Sequence, residues 1–383
     1  MAMISAMFPA GNKTMGRLSI ISSLSFFLLF LVHASAQPGS GLIPTAVPKG
    51  SKNSVSALLV FGDSTADPGN NNYISTPFKS NFAPYGKDFP THMSTGRFTN
   101  GKLAFDFIAS YAGLKEFVPA YLDTTLNVAE LMTGVSFASA GSGYDPLTPR
   151  LSGVIPLSKQ VEYFKEYISK IETILGPEKT KEHISKAVCI ISAGTNDFVV
   201  NYYTVPIRRR MYTIAQYQQF LVENVHEFVK SLWDLGVRKI AVLGGPPIGC
   251  LPVVITLKSN SGGCIDSLSA VVRDYNNLLQ EDIQALHHSL ANNKTSKIVY
   301  IDVYTPLTDI LQDHPSKYGI EEVKRGCCGT GYVEASFLCN PSSPVCHDPS
   351  KYAFWDSIHP TEMAYYLIFR AALPVIDYII SDY

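Results

Sequence analysis

The sequence predicts an α/β domain, a parallel sheet with helices on both faces. Short apolar runs of strand length each end in a turn rich in Gly, Ser or Asn, and longer stretches of helical period lie between them. Strands alternating with helices in this way argue for βαβ units and a single continuous core. Composition agrees: of 383 residues, 46% are apolar and only 16% charged, against roughly 25% charged in ordinary soluble domains. Five strands in one alternation, without internal repeats, predict a single domain over residues 57–383.

Residues 1–36 read as a secretory signal. Lys13 and Arg17 precede an apolar run from Leu18 to Val32, and Ala34-Ser35-Ala36 supplies small residues for cleavage. That run is short for a membrane span and contains serines. Residues 37–56, rich in Pro, Gly, Ser and Lys, read as a disordered lead-in. The carboxyl-terminal apolar stretch is interrupted by Arg370, Pro374 and Asp377, so no integral membrane anchor is expected. The expected location is extracellular.

The first strand is the run 57–61. It stops at Gly62, and Asp63-Ser64-Thr65 follows, placing a serine at the carboxyl end of a strand, where open α/β sheets keep their ligands. Asn100 is the expected cap of a helix carrying Leu103, Phe107, Ile108 and Tyr111 on one side. A second strand, 135–138, ends in Ser139-Ala140-Gly141-Ser142-Gly143, where bare backbone is exposed. Residues 159–175 form an amphipathic helix with Val161, Phe164, Ile168, Ile171 and Leu175 on one face.

Strand 188–192 then runs into Gly194-Thr195-Asn196-Asp197, helix 217–235 follows, and strand 239–243 ends in two glycines and two prolines. Helix 267–290 and strand 297–302 complete the alternation. Arg208-Arg209-Arg210 reads as a solvated loop rather than a binding patch. With a net charge of −1 there is no electrostatic footprint for nucleic acid.

The seven cysteines are read in an oxidising compartment, where disulfides are favoured over metal sites. Cys250 and Cys264 flank one loop and are expected to pair. Cys327, Cys328, Cys339 and Cys346 crowd another and are expected to form two bridges of open connectivity. Cys189, inside an apolar run, is expected to be a buried free thiol. Asn293-Lys294-Thr295 is the glycosylation sequon of the mature chain.

Near the end, Asp356 and His359 are three residues apart, a spacing that lets a carboxylate receive the imidazole Nδ1 hydrogen and turn Nε2 outward. His347-Asp348 is a competing pair of poorer geometry. Each of four loops thus offers one part of acyl transfer. Ser64 is a nucleophile, and His359 with Asp356 a base and its orienting group. Gly141 offers a backbone N–H and Asn196 a side-chain N–H for an oxyanion.

The sequence resembles the plant-type GDSL esterase/lipases of the SGNH hydrolase superfamily. The resemblance runs from about residue 57 to the end. It is carried by Phe61-Gly62-Asp63-Ser64, Asn70-Asn71-Asn72, Arg97-Phe98-Thr99-Asn100-Gly101, 135–141, Gly194-Thr195-Asn196-Asp197, Pro246-Pro247-Ile248-Gly249-Cys250, Cys327-Cys328-Gly329 and 354–360. It implies a flavodoxin-like sheet (the SGNH hydrolase fold) and catalytic Ser64, Asp356 and His359. It also implies an oxyanion hole of Ser64, Gly141 and Asn196.

The expected activity is hydrolysis of carboxylic esters, small-molecule, lipid or cell-wall, through an acyl-serine, with no cofactor and no metal. The alternatives are an extracellular acyltransferase on the same site and a non-catalytic binding protein that retains the fold. Two departures stand out. Ala140 replaces the first of two usual glycines, with Gly143 as the fallback donor. Met363-Ala364-Tyr365-Tyr366 is bulkier than the family's small residues; the expected consequence is repacking of a helix, with an altered pocket wall as the alternative.

Overall fold

The computed structural model describes residues 55–382 except Asn292 and Lys294; the signal segment and almost all of the lead-in lie outside the described residues. Four five-residue strands form the central sheet: β1 Leu58–Gly62, β2 Val188–Ser192, β3 Lys239–Leu243 and β4 Lys297–Ile301. They lie side by side in that order and every neighbouring pair is parallel. Their burial on both faces explains why each reads as an unbroken apolar run rather than an alternating one. Leu59, Val60, Phe61, Ile190, Ile191, Ala241 and Val242 are wholly buried.

The expected strand 135–138 is present only in part. It lies along the free edge of β1, where Val60 N–H donates to Val135 O (3.0 Å), Phe137 N–H to Val60 O (2.8 Å) and Ser139 N–H to Gly62 O (3.0 Å). Counting this segment, the spatial order is the flavodoxin-like one. It is not a regular strand because its other side is taken by isolated contacts. Ser136 bonds the backbone of 119–121, and the Asn70 side-chain amide donates to the carbonyls of Ser136 and Ala138.

The principal helices are α1 Ala104–Tyr111, α2 Leu157–Leu175, α3 Ile214–Asp234, α4 Asp266–Leu290 and α5 Glu362–Ile380. Each of the last four carries an apolar stripe of period near 3.6 that turns toward the sheet. On α2 the buried stripe is Leu157, Val161, Phe164, Tyr167 and Ile171, while Ile168 and Leu175 are only half-buried. Phe61 stacks on Phe137 at 4.9 Å and meets Phe164 edge-on at 5.6 Å.

Asn100 does not cap α1. Leu103 takes that position and its N–H is held by Asp106, while Asn100 Oδ1 accepts from Glu362 N–H, at the start of α5. The α5 helix is long and apolar enough to cross a membrane by length and composition. It is nonetheless half-buried as a core helix, with Ala364, Ile368, Phe369, Ala372, Ile376 and Ile379 inside.

The arginine cluster is also corrected. It forms the short helix Ile207–Met211, and Arg208 donates from Nε and Nη2 to both oxygens of buried Asp145, at 2.6 Å each. Pairing was invisible in sequence because its partner lies 63 residues away. The bridges are Cys250–Cys264, as expected, with Cys327–Cys346 and Cys328–Cys339 resolving the open connectivity; Cys189 is a buried free thiol.

Candidate active site

Ser64 stands on the first turn after β1, and three contacts fix that turn. The side-chain amide of Gln160 on α2 grips Gly62, accepting from its N–H and donating to its carbonyl, both at 2.9 Å. Asp63 N–H donates to Ser192 O at 2.9 Å, tying the turn to the end of β2. Asp63 Oδ1 then accepts from the Thr65 N–H and hydroxyl (3.0 and 2.8 Å), an Asx turn. Gly62 has φ +139°, and a Cβ there would lie 1.8 Å from Ser192 O, so only glycine fits.

Residues 352–361 bring the other side chains from the opposite wall. Thr361 caps α5 by accepting from Ala364 N–H, and Trp355 N–H donates to His359 O at 2.7 Å, closing the loop before it. Inside that loop His359 Nδ1 lies 2.7 Å from Asp356 Oδ2 and 2.9 Å from Oδ1. His359 Nε2 lies 2.8 Å from Ser64 Oγ. Asp356 is fully buried, and its Oδ1 also accepts the N–H groups of Ile358 and His359 (2.9 and 2.8 Å). Its Oδ2 accepts from the Tyr85 hydroxyl at 2.7 Å.

With the carboxylate on one ring nitrogen, the imidazole is left with Nε2 to accept from the Ser64 hydroxyl. The rival pair does not form. His347 is exposed, and Asp348 caps the short helix Pro349–Lys351.

Comparison with known proteins places the chain in a family. The model of the GDSL-like lipase/acylhydrolase family matches residues 58–372. The chain belongs to that family. A GDSL esterase/lipase of Arabidopsis thaliana is 55% identical over 336 residues, covering 87% of this chain and 89% of its own. A second from the same plant is 45% identical over 328 residues, 85% and 90% of the two chains. Among solved structures, a catalytic mutant of an acetylxylan esterase from Geobacillus stearothermophilus is 14% identical with a TM-score of 0.38. It aligns over 84% of this chain and 94% of its own.

Ser64, His359 and Asn196 line one pocket, together with Asp63, Thr65 and Ser192. Its remaining wall is mostly apolar: Leu243, Val303, Leu307, Leu311, Phe354, Ile358 and Ile368 are among its members. Tyr365 also lines it, so the bulky residue flagged in the sequence shapes the pocket rather than only repacking α5, and its buried hydroxyl has no partner among the described residues.

Asn196 Nδ2 donates to Ser142 O at 2.9 Å, which fixes the amide beside the 139–143 turn. Gly141, at φ +88°, is not part of the pocket wall, but neither its N–H nor that of Ser64 has an acceptor among the described residues. Ala140 N–H, by contrast, is taken by Asp67 Oδ2 at 3.0 Å. The substituted glycine position is therefore not the free donor.

The asparagine run was legible only as a family marker and Asp67 carried no signal in the sequence, yet together they build this turn. Asn70 bonds the carbonyls of Ser136 and Ala138, Asn71 those of Phe78 and Ala140, and Asp67 also holds the Gly69 and Asn70 N–H groups.

Three carboxyls around the site, Asp63, Asp67 and Asp197, are fully buried, and burial pushes them up to about 6, about 6 and about 7. Asp197 accepts from Tyr144 N–H, Asp145 N–H and the Thr148 hydroxyl, which locks 144–148 onto the segment carrying Asn196. An acid raised above its unfolded value binds more protons when folded, so its contribution to stability falls as pH rises from about 4 to about 7. Asp197→Asn, which cannot ionise, should therefore gain on the wild type as pH rises through that window. Paired thermal melts at pH 4.5 and 7.5 check this; a melting-point difference independent of pH would contradict the assignment.

Proposed function

We propose that this protein hydrolyses carboxylic esters through an acyl-serine intermediate, with Ser64 as nucleophile, His359 as base and Asp356 as its orienting group. The observation that carries the reading is the buried line of hydrogen bonds from Asp356 through His359 to Ser64, opening onto an apolar pocket. The Ser64 oxygen attacks the ester carbonyl as its proton passes to His359 Nε2, and Asp356 stabilises the imidazolium. That proton then goes to the leaving alkoxide. Water attacks the acyl-serine, giving its proton to Nε2, and the acid departs as the Ser64 oxygen recovers a proton.

The oxyanion would be received by the Ser64 and Gly141 N–H groups and Asn196 Nδ2. N–H groups on Ser64 and Gly141 with no acceptor among the described residues, and a tethered amide on Asn196, support this, since donors fixed in advance need no reorganisation as charge develops. Asn196→Ala should lower kcat on the order of 10²–10³-fold while changing KM little, because it removes one such donor. Steady-state kinetics on a p-nitrophenyl ester decide it, and a loss confined to KM would reassign Asn196 to substrate binding.

Apolar walls at Leu243, Leu307, Leu311 and Ile368 favour an ester with an apolar acyl or alcohol part over a bare acetylated carbohydrate. The hydrolase domain spans 57–383, behind a cleaved signal at 1–36 and a lead-in at 37–56. Three disulfides and an exposed sequon asparagine, Asn293, support an extracellular glycoprotein.

A fluorophosphonate probe should label Ser64 in the native protein but not after denaturation. Turnover on esters graded by acyl length should peak above acetate. Absence of labelling on folded protein would remove the hydrolase reading and leave a binding protein. Amino-terminal sequencing and a glycosidase mobility shift test processing.

A further inference from the structure

We propose that Tyr85 is a positioning residue for this reaction: its hydroxyl, donated to Asp356 Oδ2, holds the carboxylate in the orientation that serves His359. The proposal rests on the catalytic reading of Ser64, His359 and Asp356 above.

The geometry leaves the Tyr85 hydroxyl one task. Its oxygen accepts from Ser336 N–H at 2.8 Å, and its hydrogen goes to Asp356 Oδ2 at 2.7 Å. The ring is 1% exposed. It packs edge-on against Phe98 at 5.8 Å and Trp355 at 6.3 Å, and Phe98 in turn lies 4.9 Å from the His359 ring. The hydroxyl cannot turn to solvent.

Asp356 shows why that donor matters. Both backbone donors to its carboxylate come from its own loop and both reach Oδ1. Among the described residues Oδ2 faces only His359 Nδ1 and Tyr85. Among the described residues Tyr85 is thus the one donor to this carboxylate from outside residues 356–359. Without it, Oδ2 keeps a single bond to a ring that must itself be held still. The carboxylate can then swing about its anchored Oδ1, and the imidazole loses its fixed alignment with Ser64.

Ser336 extends the chain of supports. It sits within the segment closed by Cys327–Cys346 and Cys328–Cys339, and its hydroxyl accepts from Lys79 N–H and contacts the Pro77 and Lys79 carbonyls. The two bridges therefore brace the catalytic carboxylate through Ser336 and Tyr85.

The test is Tyr85→Phe, which keeps the ring and deletes one oxygen. Kcat on a p-nitrophenyl ester should fall about tenfold with KM unchanged, the fluorophosphonate labelling rate should fall by the same factor, and the low-field proton resonance of His359 Nδ1 should shift. Combined with Asp356→Ala, the substitution should cause no further loss, because residues acting as a unit do not add. Tyr167→Phe is the control for a buried tyrosine whose hydroxyl bonds elsewhere, to Leu131 O; its kcat should stay at the wild-type value.

A wild-type kcat in Tyr85→Phe, or the same tenfold loss persisting beside Asp356→Ala, would overturn the proposal. The hydrolase reading would survive, since Ser64 labelling tests it separately. Should Tyr85→Phe not fold, 3-fluorotyrosine at position 85 perturbs the same hydroxyl in a native-sized ring. An unmoved Nδ1 proton resonance there would overturn it equally.

Discussion

Ser64→Ala is expected to abolish turnover, on the order of 10⁶-fold in kcat, while the protein folds as before. The size follows from losing the covalent route, leaving only what binding and the oxyanion donors supply. The intact fold follows from the local contacts. The Ser64 hydroxyl bonds only His359 Nε2 among the described residues, whereas the turn that carries it is held by Gln160, Asp63 and Ser192. His359→Ala should be about as damaging, and the double variant scarcely worse than either single one, because nucleophile and base act together. Circular dichroism with kinetics on a short-chain ester checks all three. A folded Ser64→Ala protein that kept most of its activity would show that the chemistry is elsewhere.

Asp356→Asn should cost about 10⁴-fold in kcat, the loss the Ser-His-Asp template shows when the imidazole is left in the wrong tautomer. Here the direction of the amide can be derived. Two backbone N–H groups, from Ile358 and His359, reach Oδ1 at 2.9 and 2.8 Å, so the carbonyl oxygen of the new amide must sit there. Its NH₂ then occupies the Oδ2 site, 2.7 Å from His359 Nδ1. The ring proton on Nδ1 would lose its shorter acceptor and face that NH₂, keeping only the 2.9 Å contact to Oδ1, which favours its move to Nε2, and a protonated Nε2 cannot accept from Ser64. Steady-state kcat and the Ser64 labelling rate should therefore fall together. If both stayed within tenfold of wild type, Asp356 would not be the group that sets the tautomer.

The alternation of elements was legible because it rests on local physics. Strands buried on both faces must be apolar throughout, and helices lying on a sheet must carry a stripe, so β1 to β4 and α2 to α4 could be placed within a few residues. The segment 135–138 shows the limit. Its apolar pattern was strand-like, but its ladder is interrupted by an asparagine 66 residues away in sequence, a competitor that no local window contains. Asn100 failed as a cap for the same reason: its carbonyl oxygen satisfies α5 rather than α1.

What the sequence by itself determined was therefore the fold class and the set of groups proposed for the chemistry. A serine after a strand, an Asp and His three apart, and an amide and a bare glycine at two further strand ends are recognisable from residue type and short spacing. The distances among them were decided only by the tertiary structure, since Ser64 and His359 are separated by 295 positions and meet only once the sheet has formed. Tertiary structure also decided which polar residues hold the site. Gln160 grips Gly62, Arg208 pairs with Asp145 and Tyr85 reaches Asp356 across separations of 98, 63 and 271 residues. A side-chain hydrogen bond is set by the position of its partner, and nothing in the donor's own neighbourhood in sequence records where that partner will be.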